Sequence, residues 1–158
     1  MQERANIIDH LSRAYAGGAW HGPALGELLA DVSAEQAAAR PMAEAHSIWE
    51  LVLHIAAWNN VFCRRLEEHP TETPEEGDFP PVEETTEEAW AQARARLAHT
   101  QQQLLQTVSA LPDSRLSEQV IGKDYSLGFM LLGIIQHNVY HAGQIALLKK
   151  ARADSHNR

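Results

Sequence analysis

The chain has 158 residues, 44% of them hydrophobic, and a formal net charge of −8. A chain of this size buries about 70% of its unfolded surface around one core, so a single domain over residues 1–158 is expected. The negative balance, with no Lys/Arg-rich run, argues against nucleic acid or an anionic membrane as partner. One cysteine, Cys63, excludes an intrachain disulfide and fits a reducing cytoplasm. The opening MQERANIIDHLSRAYAGG mixes charged with apolar residues, unlike a signal peptide, and no later run has the length to span a bilayer.

Residues 3–16 carry Ile7, Ile8, Leu11, Ala14 and Tyr15 at helical spacing, and Gly17-Gly18 ends that helix. Pro23 suits the start of a short helix with Leu25, Leu28 and Leu29 on its apolar side, and Ser33 caps a further turn over Ala34–Ala39. Ser47-Ile48-Trp49-Glu50 is a capping box that opens a long helix over about 48–68. Its stripe runs through Ile48, Leu51, Val52, Ile55, Trp58, Asn59, Phe62 and Leu66, with His54 on the flank. From His69 to Glu84 four prolines stand among six acids, which reads as a solvated surface linker with no part in the core. Thr85 with Glu88 offers a second capping box for a helix over about 86–110, with Trp90, Leu97, Leu104 and Val108 on one stripe. After a connection over 112–125, Ser126 caps the last helix, 126–150. The long helices and the crossing linker predict an all-α bundle.

The last helix carries the chemistry. Its inward seam reads Leu127, Met130, Ile134, His137, His141, Gln144 and Leu148. Two imidazoles one turn apart share a helix face, and polar groups on a seam need partners. H-x3-H followed by Gln on one seam reads as two ligands of a metal site, ahead of the alternative of two core histidines satisfied by hydrogen bonds. The third must come from elsewhere. His54, inside a long helix, is the best candidate, ahead of His10, His21, His46, His69, His99 and His156; Cys63 reads as a packing residue. Gln144, one step past His141, is placed to accept the free N–H of a ligand histidine, or to bond a neighbouring backbone. Neutral imidazoles leave the ion its positive charge, which suits activation of water or binding of a thiolate, and they do not select among zinc, nickel, iron and manganese. There is no P-loop, G-x-G-x-x-G, G-x-S-x-G or H-E-x-x-H, and the E-x-x-H pairs of a di-iron bundle are missing beside His137 and His141.

The stretch SIWELVLHIAAW (47–58), with HNVYHAGQIALL (137–148) far downstream, resembles the DinB/YfiT superfamily of damage-inducible bundle proteins, as do Gly18–Pro23 and Leu25–Ala34. The resemblance covers nearly the whole chain. It implies an up-down-down-up four-helix bundle in which His54, His137 and His141 bind a divalent metal in a cleft at one end. It also implies a homodimer, and an activity of the kind found in relatives that are thiol-dependent transferases and isomerases or metal-dependent hydrolases. One departure is Asn138, where relatives often carry an acid. The favoured reading is a cytoplasmic metal-dependent transferase that joins a low-molecular-weight thiol to a small electrophile, with His46, Trp58 and Tyr140 as candidate pocket walls. The alternatives are a metal-dependent hydrolase and a non-catalytic module stabilised by its metal.

Overall fold

The computed structural model describes residues 2–155, with side chains over 3–151; His156 lies outside the described residues. Among the described residues the chain is helical: α1 Gln2–Ala16, α2 Leu25–Leu29, α3 Ala34–Ala38, α4 Ile48–Leu66, α5 Glu87–Ala110 and α6 Leu127–Ser155, with a 3-10 turn at Asp113–Ser117. An isolated antiparallel bridge joins Gln119 to Ser126, and no strand accompanies it among the described residues.

Local chemistry sets the helix bounds. Gly17 and Gly18 stop α1 at φ 129° and 71°, a backbone region that L side chains rarely adopt. Ser47 caps α4: its Oγ accepts from the Glu50 backbone N–H at 3.2 Å, and Glu50 Oε2 accepts from the Ser47 N–H at 2.7 Å. The cap of α5 is Thr86 rather than Thr85, its hydroxyl accepting from Ala89 N–H at 3.1 Å. Both threonines fit the sequence pattern, and the one whose hydroxyl reaches the third helical N–H takes the role.

α1 packs on α5 and α6, and α4 packs on the same two helices, so the four long helices enclose the core. α2 lies against α1 and α6, and α3 against α4 and α5. The core divides into two apolar clusters. One gathers Leu51, Ile55, Trp90, Leu97, Ile145 and Leu148 under α2 and α3. The other gathers Leu11, Phe62, Leu66, Leu104, Leu131 and Ile134. Between them, each long helix except α1 contributes buried polar residues: Asn59 on α4, Thr100 and Gln101 on α5, Asn138 on α6. The Asn59 amide donates to Thr100 Oγ1 at 3.3 Å, and the Gln101 amide donates to the Leu11 carbonyl at 3.3 Å.

The stretch from His69 to Glu84 differs from the surface linker that its prolines and acids suggest. Pro74 and Pro80 are buried, and Phe79 and Val82 pack against the core. Its acids find cations on the helices: Glu75 pairs with Arg64 at 2.6 Å, Glu76 with Arg96, and Glu72 with Lys123. Surface pairs of this kind contribute little singly. The stronger tie is Arg65, 7% exposed, which donates to the carbonyls of Thr71 and Glu72, both at 2.8 Å, and to the Tyr125 hydroxyl at 3.2 Å. Composition misleads here because the apolar anchors are few and spaced, whereas the acids dominate the count.

Arg65→Ala is expected to lower stability by about 2 kcal/mol, since three hydrogen bonds from a charged donor vanish together. It should also speed proteolytic cutting within 70–76; urea unfolding and timed digestion measure the two effects.

Candidate metal centre

α4 and α6 bring three imidazoles to one point. His54 faces α6 two turns after the α4 cap, and His137 and His141 face α4 from successive turns of α6. His54 Nε2 lies 3.0 Å from His137 Nε2, and His141 Nε2 lies 3.1 Å from the same atom. His54 and His141 are each 6% exposed, while His137 is half-buried. They are the one group of three or more such side chains, among the described residues, arranged so that they could hold a metal ion.

Proton accounting shows why a cation fits. His54 Nδ1 lies 2.6 Å from the Asp78 carbonyl oxygen, which only accepts, so that nitrogen carries the proton. His141 Nδ1 lies 2.6 Å from Gln144 Oε1 and donates to it in the same way. In the neutral rings both Nε2 atoms are then lone pairs. His137 Nε2 holds at most one proton for the two of them. Its own Nδ1 is buried without a hydrogen-bond partner. A divalent ion among the Nε2 atoms would satisfy all three lone pairs at once and leave every Nδ1 protonated.

Burial keeps the two α6 imidazoles neutral. It pushes His137 down to about 4, with the neighbouring His141 and His54 imidazoles adding to the shift. His141 is lowered as well, chiefly by burial. Ligation needs the neutral ring, so the environment favours the ligating form above the acid range.

The histidine edges open into a cavity of about 390 Å³ lined by Trp58, Phe62, Asp78, Phe79 and Tyr140. Phe79 stacks on His54 with ring centroids 4.2 Å apart. On its other face it stacks on His46 at 3.6 Å, so His46 meets the three histidines through that ring and is itself exposed. Trp58 Nε1 donates to Asp78 Oδ1 at 2.7 Å, which holds the carboxylate at the cavity rim, 3.3 Å from His54 Nδ1. Tyr140 sits edge-on to His141 at 5.2 Å and is 65% exposed.

The model of the DinB superfamily matches residues 19–145, which spans His54, both α6 histidines and Gln144.

The chain belongs to the DinB superfamily.

No curated protein and no solved structure matches it. In this DinB-superfamily chain the other histidines stay apart: His10, His21, His69 and His99 are exposed, outside the cluster. Cys63 is half-buried and also outside it, with burial pushing its thiol up to about 11. Three residues of the site escape a reading by helix periodicity. Asp78 and Phe79 lie in a stretch without periodicity, where the one aromatic among acids and prolines was the available signal. Asn138 falls between the seam positions His137 and His141, yet it is 1% exposed, because α6 buries a face wider than one seam.

The metal-free protein is expected to lose stability as pH falls from about 6.5 toward 4. Folded His137 takes up its proton near 4, whereas the unfolded side chain does so near 6.5, so protons favour the unfolded state across that window. The loss should be on the order of 3 kcal/mol. Urea unfolding of the chelator-treated protein at pH 7 and pH 4.5 checks it, and His137→Phe should flatten most of the difference.

Proposed function

We propose that this DinB-superfamily protein holds a divalent metal ion through His54, His137 and His141, and uses it to join a low-molecular-weight thiol to a small electrophile. The observation that carries this reading is the meeting of three imidazole Nε2 edges, two of them with their lone pairs fixed inward, at the floor of an aromatic-walled cavity. When bound, the ion would supply the positive charge that makes a thiol ionise at neutral pH. Trp58, Phe62, Phe79 and Tyr140 give the cavity an apolar wall suited to a small hydrophobic electrophile. Gln144 and the Asp78 carbonyl orient His141 and His54. A second reading, hydrolysis, is favoured by one feature: the Asp78 carboxylate borders the same cavity, where it can take a proton from an attacking water.

Three further parts of the reading rest on separate observations. An up-down-down-up bundle agrees with the clusters, since the starts of α4 and α5 share one cluster with the end of α6, and Ile7 and Leu11 of α1 share the other with the end of α5. A homodimer is supported by Phe129, Leu132, Tyr140 and Leu147, which are 66%, 50%, 65% and 62% exposed at three- and four-residue multiples along one outer face of α6. No helix among the described residues is long and apolar enough to cross a membrane, and we place the protein in the cytoplasm, where its free cysteine stays reduced.

His54→Ala, His137→Ala and His141→Ala should each weaken metal binding at least tenfold, while His99→Ala should not change it. The metal-loaded wild type should consume a thiol in a screen of low-molecular-weight thiols against chlorinated and epoxide electrophiles. Electrophile turnover with the thiol count unchanged would point to hydrolysis instead. For the dimer, sedimentation equilibrium should return twice the 17.6 kDa of one chain, falling to one chain in Leu132→Glu/Leu147→Glu. A wild-type mass of one chain would exclude this interface.

A further inference from the structure

Each of the three imidazoles has one nitrogen turned toward the others and one turned away. The outward nitrogens of His54 and His141 have acceptors, the Asp78 carbonyl and Gln144 Oε1. The outward Nδ1 of His137 is buried and has none. Beside it on α6 lies Asn138, 1% exposed, with neither Oδ1 nor Nδ2 in a hydrogen bond of good geometry. A buried amide that uses none of its hydrogen-bonding capacity is rare in a native core. Packing does not explain it, because an apolar residue of the same size would fill the place without desolvating an amide. The two orphans are neighbours in sequence, one a potential N–H donor and the other a carbonyl acceptor. The amide is also close enough to His137 to favour that ring's protonated form.

We propose that Asn138 is the positioning residue for His137: its Oδ1 accepts the Nδ1–H of His137 when a divalent cation is held at Nε2. The proposal rests on the three-histidine reading and completes it, since each ligand ring then has its own acceptor on the far nitrogen. The amide has no other hydrogen bond of good geometry to give up in taking this role. Its Nδ2 then remains to be satisfied. Gln101 Oε1 and Asn59 Oδ1, both without partners, lie on the stretches of α5 and α4 that separate the two apolar clusters, as Asn138 does on α6. An amide orients the ring without adding a negative charge. A carboxylate there would also orient the ring but would offset part of the cation's charge.

The test uses the full chain with zinc as probe, affinity being read by competition with a chromophoric chelator. Asn138→Leu should bind zinc roughly 10–100-fold more weakly. Its melting temperature without metal should hold or rise, because Leu buries no unpaired polar atom. Asn138→Asp, which keeps an acceptor, should retain wild-type zinc affinity or better. Gln144→Leu, which removes the acceptor of His141, sets the scale for such a loss. In the zinc-loaded wild type, long-range proton–nitrogen NMR correlation should show His137 protonated at Nδ1, slow to exchange, and in Overhauser contact with the Asn138 side-chain amide. Wild-type zinc affinity in Asn138→Leu would overturn the proposal. Should that variant fail to fold, the NMR experiment decides alone: a His137 Nδ1–H in fast exchange, or without the Asn138 contact, overturns it. A wild type that takes up no zinc overturns the three-histidine reading itself. A wild type that loads zinc beside an equally competent Asn138→Leu removes only the role of Asn138.

Discussion

Two imidazole lone pairs directed at a third ring from 3.0 and 3.1 Å are the constraint around which this bundle is arranged. Neutral rings in that geometry have one proton for two acceptors, and protonated rings would repel one another at this separation. The helices nevertheless hold them there. α6 fixes His137 and His141 one turn apart on a backbone it shares with Leu131, Ile134 and Ile145, each at most 1% exposed. α4 fixes His54 between Leu51, Ile55 and Trp58, beginning from a reciprocal cap at Ser47 and Glu50. Moving a ring away would disturb packing in one or both apolar clusters. The core therefore keeps the three rings together, and a cation among the Nε2 atoms would give all three lone pairs a partner.

The segment between α4 and α5 makes the histidines a site rather than an internal polar contact. It supplies the Asp78 carbonyl that selects the His54 tautomer, the Asp78 carboxylate held by Trp58, and the Phe79 ring stacked on His54. Its anchors lie at a distance from these groups: Arg65 on its first carbonyls, and ion pairs to Arg64, Arg96 and Lys123. A stretch without regular structure is thereby held closely enough to border a cavity. Stacked, hydrogen-bonded contacts on His54 fix the ring plane, and ring orientation governs where a ligand lone pair points.

Much of this was legible in the residues themselves. The starts of α4 and α5 followed from caps to within a residue and the end of α1 from its glycines, whereas α6 runs to Ser155, past the expected 150; the pairing of His137 with His141 followed from their spacing on a seam. His54 was singled out by its place inside a long helix and by the family resemblance. What periodicity does not carry is harder to read. Asp78 and Phe79 act through a backbone carbonyl and one ring face in a stretch whose composition speaks only of solvent. Asn138 sits on a face of α6 that is buried because α1, α2, α4 and the 3-10 turn all contact this helix, and a single seam does not describe a helix with so many neighbours. The choice between Thr85 and Thr86 as cap rested on a one-residue offset that either hydroxyl could satisfy on paper.

The central claim is that three histidine nitrogens, and no other protein atoms of comparable strength, surround the ion. X-ray absorption spectroscopy on the protein loaded with zinc reads this directly. The three-histidine reading predicts three imidazole nitrogens at about 2.0–2.1 Å with the characteristic outer-ring scattering, and the remaining neighbours oxygen. A sulfur neighbour at about 2.3 Å from Cys63, a coordination sphere of oxygens without imidazole scattering, or a protein that retains no zinc would contradict it.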